Sequence, residues 1–238
     1  MDILYRLSTN GYAKTKFSSA TKERCLLSAI HEFGADNIHL FVDKTNLTAE
    51  GTNTIAKYTT KYGFKSIVWH DGGSSAGSWR VVFNYAIDKS DSTLIYFLED
   101  DYLHAAGSRK LFEEGLAIAD YVSLYDHNDK YIPGTEGGNP FIMQDCGEET
   151  KVFVTKSIHW KLTNSTTMTF ATSVEQLRKD RDIWERHTLS NHPNDFAAFL
   201  ELRKEGRSLI TCLPGFSTHC EPMWAAPLRD WNALAASY

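Results

Sequence analysis

The chain has 238 residues, 42% of them hydrophobic, and a formal net charge of -5. It is long enough for one compact domain with a sizeable core, and its acidic balance argues against a groove for DNA or RNA, which needs a basic face. The four cysteines lack C-x-x-C spacing, and no run of about 18 apolar residues occurs. We therefore expect a soluble, cytoplasmic protein with reduced thiols, no membrane span and no nucleic-acid partner.

The first half of the chain alternates strand-like apolar runs with segments whose apolar residues recur at helical spacing. In chain order the pattern predicts a strand at 3–7, a helix at 22–33, a strand at 37–42, a helix at 52–62, a strand at 66–69, a helix at 79–87, a strand at 94–98, a helix at 109–119 and a strand at 121–124. Such alternation predicts right-handed βαβ units. The expected fold is α/β, with a mainly parallel central sheet flanked by helices.

The second half has a different composition. Residues 125–172 are rich in Thr, Asn, Gly and His and show little periodicity, which is typical of irregular walls around a cleft. Helical spacing returns at 174–186 and 195–204. Because neither a linker nor a repeat separates the halves, we predict a single domain over 1–238, with a Rossmann-like nucleotide half at 1–124 and an irregular acceptor-binding and catalytic half at 125–238.

Three consecutive acids, Glu99, Asp100 and Asp101, follow the strand predicted at 94–98. In parallel sheets, ligands bind at the carboxyl ends of the strands. Carboxylates buried there need a compensating positive charge, and a hard divalent cation such as Mg2+ or Mn2+ would supply it while also binding phosphates. The alternative is a solvated turn that is acidic by chance.

Six short blocks, spread over nearly the whole chain, resemble those of one enzyme family. The blocks are YRLSTNGYAKTK, YFLEDDYLH, YDHNDKY, HWKLTNSTTMTFA, HPNDFAAF and PGFSTHCEP. They resemble nucleotide-sugar-dependent glycosyltransferases with the GT-A fold, from a family found in bacteria and in large DNA viruses such as chloroviruses, and LEDDY resembles the D-x-D signature of those enzymes. The resemblance implies a metal-dependent, inverting hexosyl- or deoxyhexosyltransferase. Its cofactor would be Mn2+ or Mg2+, its donor a nucleotide-sugar, with a UDP-sugar favoured, and its acceptor a hydroxyl of a glycan or glycoprotein.

The resemblance also implies roles for individual residues. Asp101 would bind the metal together with His219. We place His219 on a loop after a strand at 208–213. Glu99 would support these residues without contacting the metal itself. For His219 a surface or capped histidine is the alternative. The residues implied to contact the nucleotide are Ser8, Thr9, Asp43, Gly77, Ser78, Arg80 and Asp100. For the neighbouring Gly72 and Gly73, a role confined to the turn is equally compatible with the sequence.

The catalytic base implied by the resemblance is Asp195, in HPNDFAAF. Transfer with inversion requires a carboxylate that takes the proton of the acceptor hydroxyl. The alternative is that Asp195 or Asn194 only caps the helix predicted at 195–204. Further candidates for the base lie in QDCGEET, namely Asp145, Glu148 and Glu149.

Weaker candidates for sugar contacts occur in the second half. Trp160 is a candidate for stacking on a sugar, although a Trp in the core is as common. Asp126, His127 and Lys130 either contact the donor sugar or diphosphate or hold a loop through local hydrogen bonds. Two other function classes compete: a sugar nucleotidyltransferase, whose G-x-G-T/S-x-L-x-P-type loop is not found in STNGYAKTK, and a carbohydrate-binding module, which needs neither a nucleotide half nor metal-binding acids.

Overall fold

The computed structural model describes residues 1–8, 15–45, 47–143 and 147–238. In chain order the elements are β1 (Asp2–Ser8), α1 (Lys22–Phe33), β2 (Ile38–Asp43), α2 (Ala49–Lys61), β3 (Ser66–His70), α3 (Ser75–Ile87), β4 (Leu94–Glu99), β5 (Tyr102–His104), α4 (Ser108–Leu116), β6 (Tyr121–Ser123), β7 (Val152–Val154), β8 (His159–Leu162), β9 (Phe170–Ser173), α5 (Val174–Lys179), α6 (Arg181–Arg186), α7 (Asp195–Lys204), β10 (Leu209–Leu213), β11 (Ser217–His219) and α8 (Trp231–Ala236). The predicted α/β class is confirmed.

The chain forms two compact units that interleave along the sequence. The first contains Met1–Ala13, Phe33–Asp100 and Thr167–Gly206, and the second contains Lys14–Glu32, Asp101–Thr166 and Arg207–Tyr238. The single domain predicted over 1–238, with halves that meet after residue 124, stays a prediction.

In the first unit the strands follow the order β3, β2, β1, β4, β9. The first four are parallel to one another, and β9 is antiparallel to β4. Strands β1, β2 and β4 are apolar and buried over most of their length, as expected for a sheet covered on both faces. Stacked aromatic rings fill the core, with the Trp79 and Phe83 centroids 5.0 Å apart and those of Phe170 and Trp184 4.9 Å apart.

In the second unit the strands follow the order β6, β10, β8, β7. Strand β10 is parallel to β6 and antiparallel to β8, and β7 is antiparallel to β8. A separate antiparallel pair joins β5 to β11. Within the part of the chain that the structure describes, no helix is long and apolar enough to cross a membrane.

Some predicted bounds differ from the observed ones. Helix α3 begins at Ser75 rather than at 79, because the Ser74 side chain caps it by accepting a hydrogen bond from the Gly77 N–H. The helix predicted at 174–186 is two helices, interrupted at Asp180, whose carboxylate accepts a hydrogen bond from Gln176. The region 125–172, predicted to be irregular, contains the short strands β7, β8 and β9.

Candidate active site

Four strands of the first unit end side by side. His70 pairs in register with Asp43, and Asp43 pairs with Ser8, so β3, β2 and β1 end at the same level. The Ser8 backbone N–H donates to Asp100 Oδ2 at 2.7 Å, which brings the acid after β4 to the same edge. A row of polar groups from four strands therefore lies where parallel sheets bind ligands.

Asp43 is held in a fixed orientation by backbone donors. Its Oδ1 atom accepts hydrogen bonds from the backbone N–H groups of Thr45 at 2.8 Å and Gly72 at 3.3 Å. Burial raises the pKa of Asp43, but the hydrogen bonds outweigh burial, and the pKa lies below its usual value. A Cβ at Gly72 would lie 2.5 Å from Asp43 Oδ2, so this close approach requires glycine.

The predicted nucleotide contacts of α3 lie in its first two turns. The Gly77 N–H donates to the Ser74 hydroxyl at 3.0 Å, and the Ser78 N–H donates to the Ser74 carbonyl at 2.8 Å. The Arg80 guanidinium donates to the Thr188 carbonyl. These three residues therefore have partners within the first unit, and their contact with a nucleotide stays a prediction.

Glu99, the first of the three acids, is paired with a buried arginine. Arg6 is 8% exposed, and its Nη2 atom donates to Glu99 Oε1 at 2.6 Å. The Thr169 hydroxyl donates to the other carboxylate oxygen at 3.3 Å. Glu99 is thus balanced inside the first unit by Arg6.

In the second unit, the antiparallel pair β5–β11 brings Asp101 and His219 together. Asp101 directly precedes β5, and His219 pairs in register with Tyr102. His219 Nε2 lies 3.0 Å from Asp101 Oδ2, and Lys16 Nζ lies 3.1 Å from the same oxygen. The Glu221 carboxylate lies 3.8 Å from His219 Nε2. His219 therefore ends a strand, so the prediction of a loop position was wrong.

The donor types at this place suit Mn2+. A carboxylate oxygen and an imidazole nitrogen are both acceptable ligands, and imidazole suits Mn2+ better than Mg2+. Among the described residues, no group of three or more His, Cys, Asp and Glu side chains is arranged to hold a metal ion. A cation held by Asp101 and His219 would therefore need further oxygen ligands, which phosphate groups and water supply.

Asp195 is the first residue of α7, and Asn194 is its N-cap. The Asn194 side chain accepts from the Ala197 N–H at 3.2 Å, whereas Asp195 Oδ1 accepts from the Phe196 N–H at 2.8 Å. Capping therefore belongs to Asn194, and the alternative that Asp195 is the N-cap is wrong. An acid in the first turn is also favourable to the helix dipole.

Of the other residues predicted for catalysis or nucleotide binding, two are described by the structure and two are not. Glu148 accepts hydrogen bonds from the Thr163 hydroxyl at 3.1 Å and the Asn164 N–H at 2.8 Å, and Glu149 is exposed. Thr9 and Asp145 lie outside the described residues. Their roles stay predictions.

Trp160 lies in the core of the second unit. Its exposed fraction is 0%, and its indole N–H donates to the Thr155 hydroxyl at 2.9 Å. A ring covered on both faces has no surface to offer to a sugar, so the structure favours the alternative that Trp160 is a core residue.

Asp126 and Lys161 form a buried ion pair in the second unit. Lys161 Nζ lies 3.0 Å from Asp126 Oδ1 and 3.6 Å from Glu148 Oε2, and both side chains of the Asp126–Lys161 pair are less than 5% exposed. The Tyr131 hydroxyl donates to Asp126 Oδ2 at 2.8 Å and accepts from Lys161. This network raises the pKa of Tyr131 to about 12, through burial and then the charge of Asp126.

The neighbouring His127 and Lys130 also hold local structure. His127 Nδ1 accepts from the Asp129 N–H at 3.0 Å, and burial lowers the pKa of its imidazole. Lys130 is 1% exposed and donates to the Asp129 carboxylate and to the Ser165 hydroxyl, each at 2.9 Å. These contacts favour the alternative that Asp126, His127 and Lys130 hold a loop.

Solved structures provide the only matches from comparison with known proteins, since no family model and no curated protein matches the chain. 4-diphosphocytidyl-2C-methyl-D-erythritol synthase from Anaerococcus prevotii is similar with a TM-score of 0.51 and 12% identity, over 100% of this chain and 97% of that one. TarS of S. aureus is similar with a TM-score of 0.50 and 13% identity, over 88% of this chain and 35% of that one. The fold is GT-A-like. GT-A-like glycosyltransferases and nucleotidyltransferases share it, and likeness at such low identity shows the fold alone.

The chain spans only part of TarS. Its similarity covers 58% of the TarS segment 1–349 and 35% of the longer TarS chain. The activity, substrates and partners of the whole protein are therefore matters for proposal.

One polar residue at this GT-A-like strand edge was missed by sequence reasoning. His70 ends β3 and is 8% exposed. The only sequence signal is its place directly before the turn DGG, which marks the strand end but says nothing about hydrogen bonding.

Proposed function

We propose that the protein is a metal-dependent, inverting glycosyltransferase that moves a sugar from a UDP-sugar to a hydroxyl of a glycan or glycoprotein. The observation that carries the proposal is the convergence of Asp101 and His219 at 3.0 Å, because these residues are far apart in sequence and were expected to share a cation. The polar row at the strand ends of the first unit supports a nucleotide site. Membership of the bacterial and viral family, and a cytoplasmic location, belong to the same proposal.

The residues of the first unit have two roles in this proposal. Ser8, Asp43 and Asp100 bind the nucleotide at the strand ends. Asp195 takes the proton of the acceptor hydroxyl while the acceptor oxygen forms a bond to the anomeric carbon. The bond from that carbon to the donor diphosphate breaks at the same time, and its electron pair leaves with the diphosphate, so the configuration inverts.

Asp101 and His219 of the second unit would hold Mn2+. A divalent cation neutralises the negative charge that develops on a leaving diphosphate. Lys16, which contacts Asp101 at 3.1 Å, supplies a second positive charge beside the same carboxylate.

Calorimetry of UDP binding with and without Mn2+ tests the metal assignment. We expect Mn2+ to strengthen UDP binding to the unaltered protein, and we expect Asp101→Ala and His219→Ala to remove that dependence with an unchanged melting temperature. Asp91→Ala is the control, because Asp91 is an exposed acid paired with Arg178. If Asp101→Ala keeps its Mn2+-dependent affinity for UDP, the assignment is wrong.

A sugar nucleotidyltransferase is the second candidate, because the likeness to the synthase from Anaerococcus prevotii extends over 100% of this chain and 97% of that one. The two activities differ in their products. A glycosyltransferase releases a nucleoside diphosphate from a nucleotide-sugar, whereas a nucleotidyltransferase releases pyrophosphate from a nucleoside triphosphate and a sugar phosphate. Assaying both products with the same enzyme preparation separates the candidates.

A further inference from the structure

Strand β3 is the edge strand of the sheet in the first unit. One side of it pairs with β2, and none of the strands that the structure describes pairs with its other side. A free edge presents unpaired N–H and carbonyl groups, and native proteins usually protect it with charged side chains, proline or a bulge. The strand sequence SIVWH contains neither proline nor a permanently charged residue, and its register with β2 is unbroken. This edge is therefore open to pairing.

Two large apolar side chains on one face of β3 are exposed. Ile67 is 38% exposed and Trp69 is 44% exposed, and both lie on the same face because one residue, Val68, separates them. On the adjacent strand β2 every residue is buried. The exposed face of β3 thus departs from a parallel sheet that is covered on both faces.

The same two residues carry free backbone groups of the edge. The His70 carbonyl accepts a hydrogen bond from the Lys44 N–H, so the backbone groups of His70 are directed toward β2. Backbone groups of successive residues in a strand point alternately to its two sides. The N–H and carbonyl groups of Ile67 and Trp69 are therefore directed away from β2, toward the free side.

The sequence around β3 is complementary to itself in an antiparallel register centred on Val68. In that register Ile67 of one copy lies opposite Trp69 of a second copy, and Trp69 opposite Ile67. Aromatic and β-branched residues are favourable cross-strand partners. The register also brings Lys65 opposite Asp71, so opposite charges meet at both ends of the pairing. The side chains of Lys65 and Asp71 are 44% and 70% exposed, and each also has an ion pair within its own chain.

The edge strand of the second unit lacks this complementarity. Strand β7 also exposes two apolar side chains, Val152 at 56% and Val154 at 70%. It is flanked by Lys151 and Lys156, and an antiparallel register centred on Phe153 places each of these lysines opposite a threonine rather than an acid. Lysines at a free edge hinder pairing. Of these two edges, only β3 matches a second copy of itself in both shape and charge.

We infer that β3 is a dimerisation edge, at which two copies of this chain pair antiparallel about Val68. The occupant is a second copy because the edge supplies its own matches, Ile67 for Trp69 and Lys65 for Asp71. Ile67 and Trp69 exchange backbone hydrogen bonds with Trp69 and Ile67 of the second copy. The same patch is used by both copies, so the assembly closes at two. Because β3 has only five residues, the contact is small and the dimer dissociates on dilution.

Sedimentation velocity without nucleotide, from about 1 µM to about 1 mM protein, tests the inference over the range of a weak complex. We expect the mass to rise from that of one chain toward that of two. Trp69→Lys should weaken this association at least about 10-fold, because it places a lysine on the free edge. Val154→Lys is the matched control, because it makes the same change at an exposed residue of β7, and it should leave the association intact. Both variants should keep their melting temperatures, since both side chains are exposed.

Asp71→Lys tests the register itself. It places Lys65 opposite a lysine at both ends of the pairing, so it should weaken the association at low salt, and added salt should reduce the loss. A protein that stays monomeric up to about 1 mM overturns the inference. Association that survives Trp69→Lys or Asp71→Lys unchanged, or that Val154→Lys abolishes equally, also overturns it.

Amide hydrogen exchange locates the contact on the backbone. The N–H groups of Ile67 and Trp69 should exchange more slowly in concentrated than in dilute samples, whereas those of β7 should exchange at the same rate in both. A dimer in which the exchange of Ile67 and Trp69 does not depend on concentration would use another surface and would overturn the inference. None of these measurements involves a nucleotide or a metal, so their failure would leave the proposed function standing.

Discussion

The two units stabilise their charged side chains in different ways. In the first unit, Asp43 and Asp100 at the strand ends accept hydrogen bonds from the backbone N–H groups of Thr45, Gly72 and Ser8. In the second unit, Lys161 is buried beside the carboxylates of Asp126 and Glu148, and the buried Lys130 pairs with the adjacent Asp129. The first arrangement uses backbone donors, and the second uses buried ammonium groups as the partners of carboxylates. We therefore expect the loss of Lys161 to cost stability, whereas substitutions of the acids at the strand ends of the first unit should mainly affect binding.

The largest effect is expected from Asp195→Asn in the first unit. The variant keeps a polar side chain in the first turn of α7 but cannot take a proton, so sugar transfer should fall by roughly 10²- to 10⁴-fold while the melting temperature stays nearly constant. Transfer rates and thermal melting, with the exposed acid Asp182→Asn as control, measure both quantities. Near-normal transfer would exclude Asp195 as the base and move attention to Glu148 and Glu149.

In the second unit, Lys161→Met should be strongly destabilising. Removing the ammonium leaves Asp126 buried without its positive partner, which costs about 3–5 kcal/mol of unfolding free energy. Lys179→Met is the matched control, because Lys179 pairs with Glu175 on the surface of α5 and its loss should cost less than about 1 kcal/mol. If urea unfolding shows the same loss of unfolding free energy for Lys161→Met and Lys179→Met, the expected difference between the buried and the exposed ion pair is contradicted.

Acid should weaken both units through their buried histidines. Burial lowers the pKa of His104 to about 3 and also lowers the pKa of His70 and His39. Each of these groups takes up a proton on unfolding, so its contribution to stability is present above the unfolded pKa of about 6.5 and falls as the pH drops below that value. Each fully neutral histidine contributes a slope of about 1.4 kcal/mol per pH unit. Urea unfolding at pH 7, 6 and 5 should show this loss, and His104→Leu should reduce the slope.

The smallest effect is expected from Asn194→Ala. The substitution removes the oxygen that caps α7 and should cost about 1 kcal/mol, with transfer unchanged. Because Asn194 and Asp195 are adjacent, comparing Asn194→Ala with Asp195→Asn separates the effect of losing the helix cap from the effect of losing the proposed base. A fall in transfer for Asn194→Ala that exceeds the loss of folded protein would contradict this division.

The sequence predicted the local features of the fold well. The bounds of α1 and α7 agree with the predicted 22–33 and 195–204, because apolar spacing and flanking breakers mark both helices. The start of α3 was missed, since its cap is one of several consecutive serines and glycines in GGSSAGS. The spacing of apolar residues does not show which of these serines and glycines is the N-cap of the helix.

Contacts between distant residues were harder to predict. Arg6 as the partner of Glu99, and Lys161 as the partner of Asp126, leave no local pattern in the sequence. The approach of Asp101 to His219 was expected only because short blocks resemble a known family. The lack of a hydrogen-bond partner for His70 among the described residues could not be predicted, because it depends on the positions of side chains from several strands.

The register of β5 with β11 makes the site sensitive to chain length as well as to side-chain chemistry. His219 faces Asp101 because His219 opposes Tyr102, Thr218 opposes Leu103 and Ser217 opposes His104. Successive side chains of a strand point to opposite faces, so inserting or deleting one residue just before Ser217 and slipping the pairing by one position would turn the imidazole away from the carboxylate. Such a change would leave every proposed ligand in the sequence and still separate the pair. Among natural variants of this chain, the length of the segment between β10 and β11 should therefore vary less than the identity of its residues.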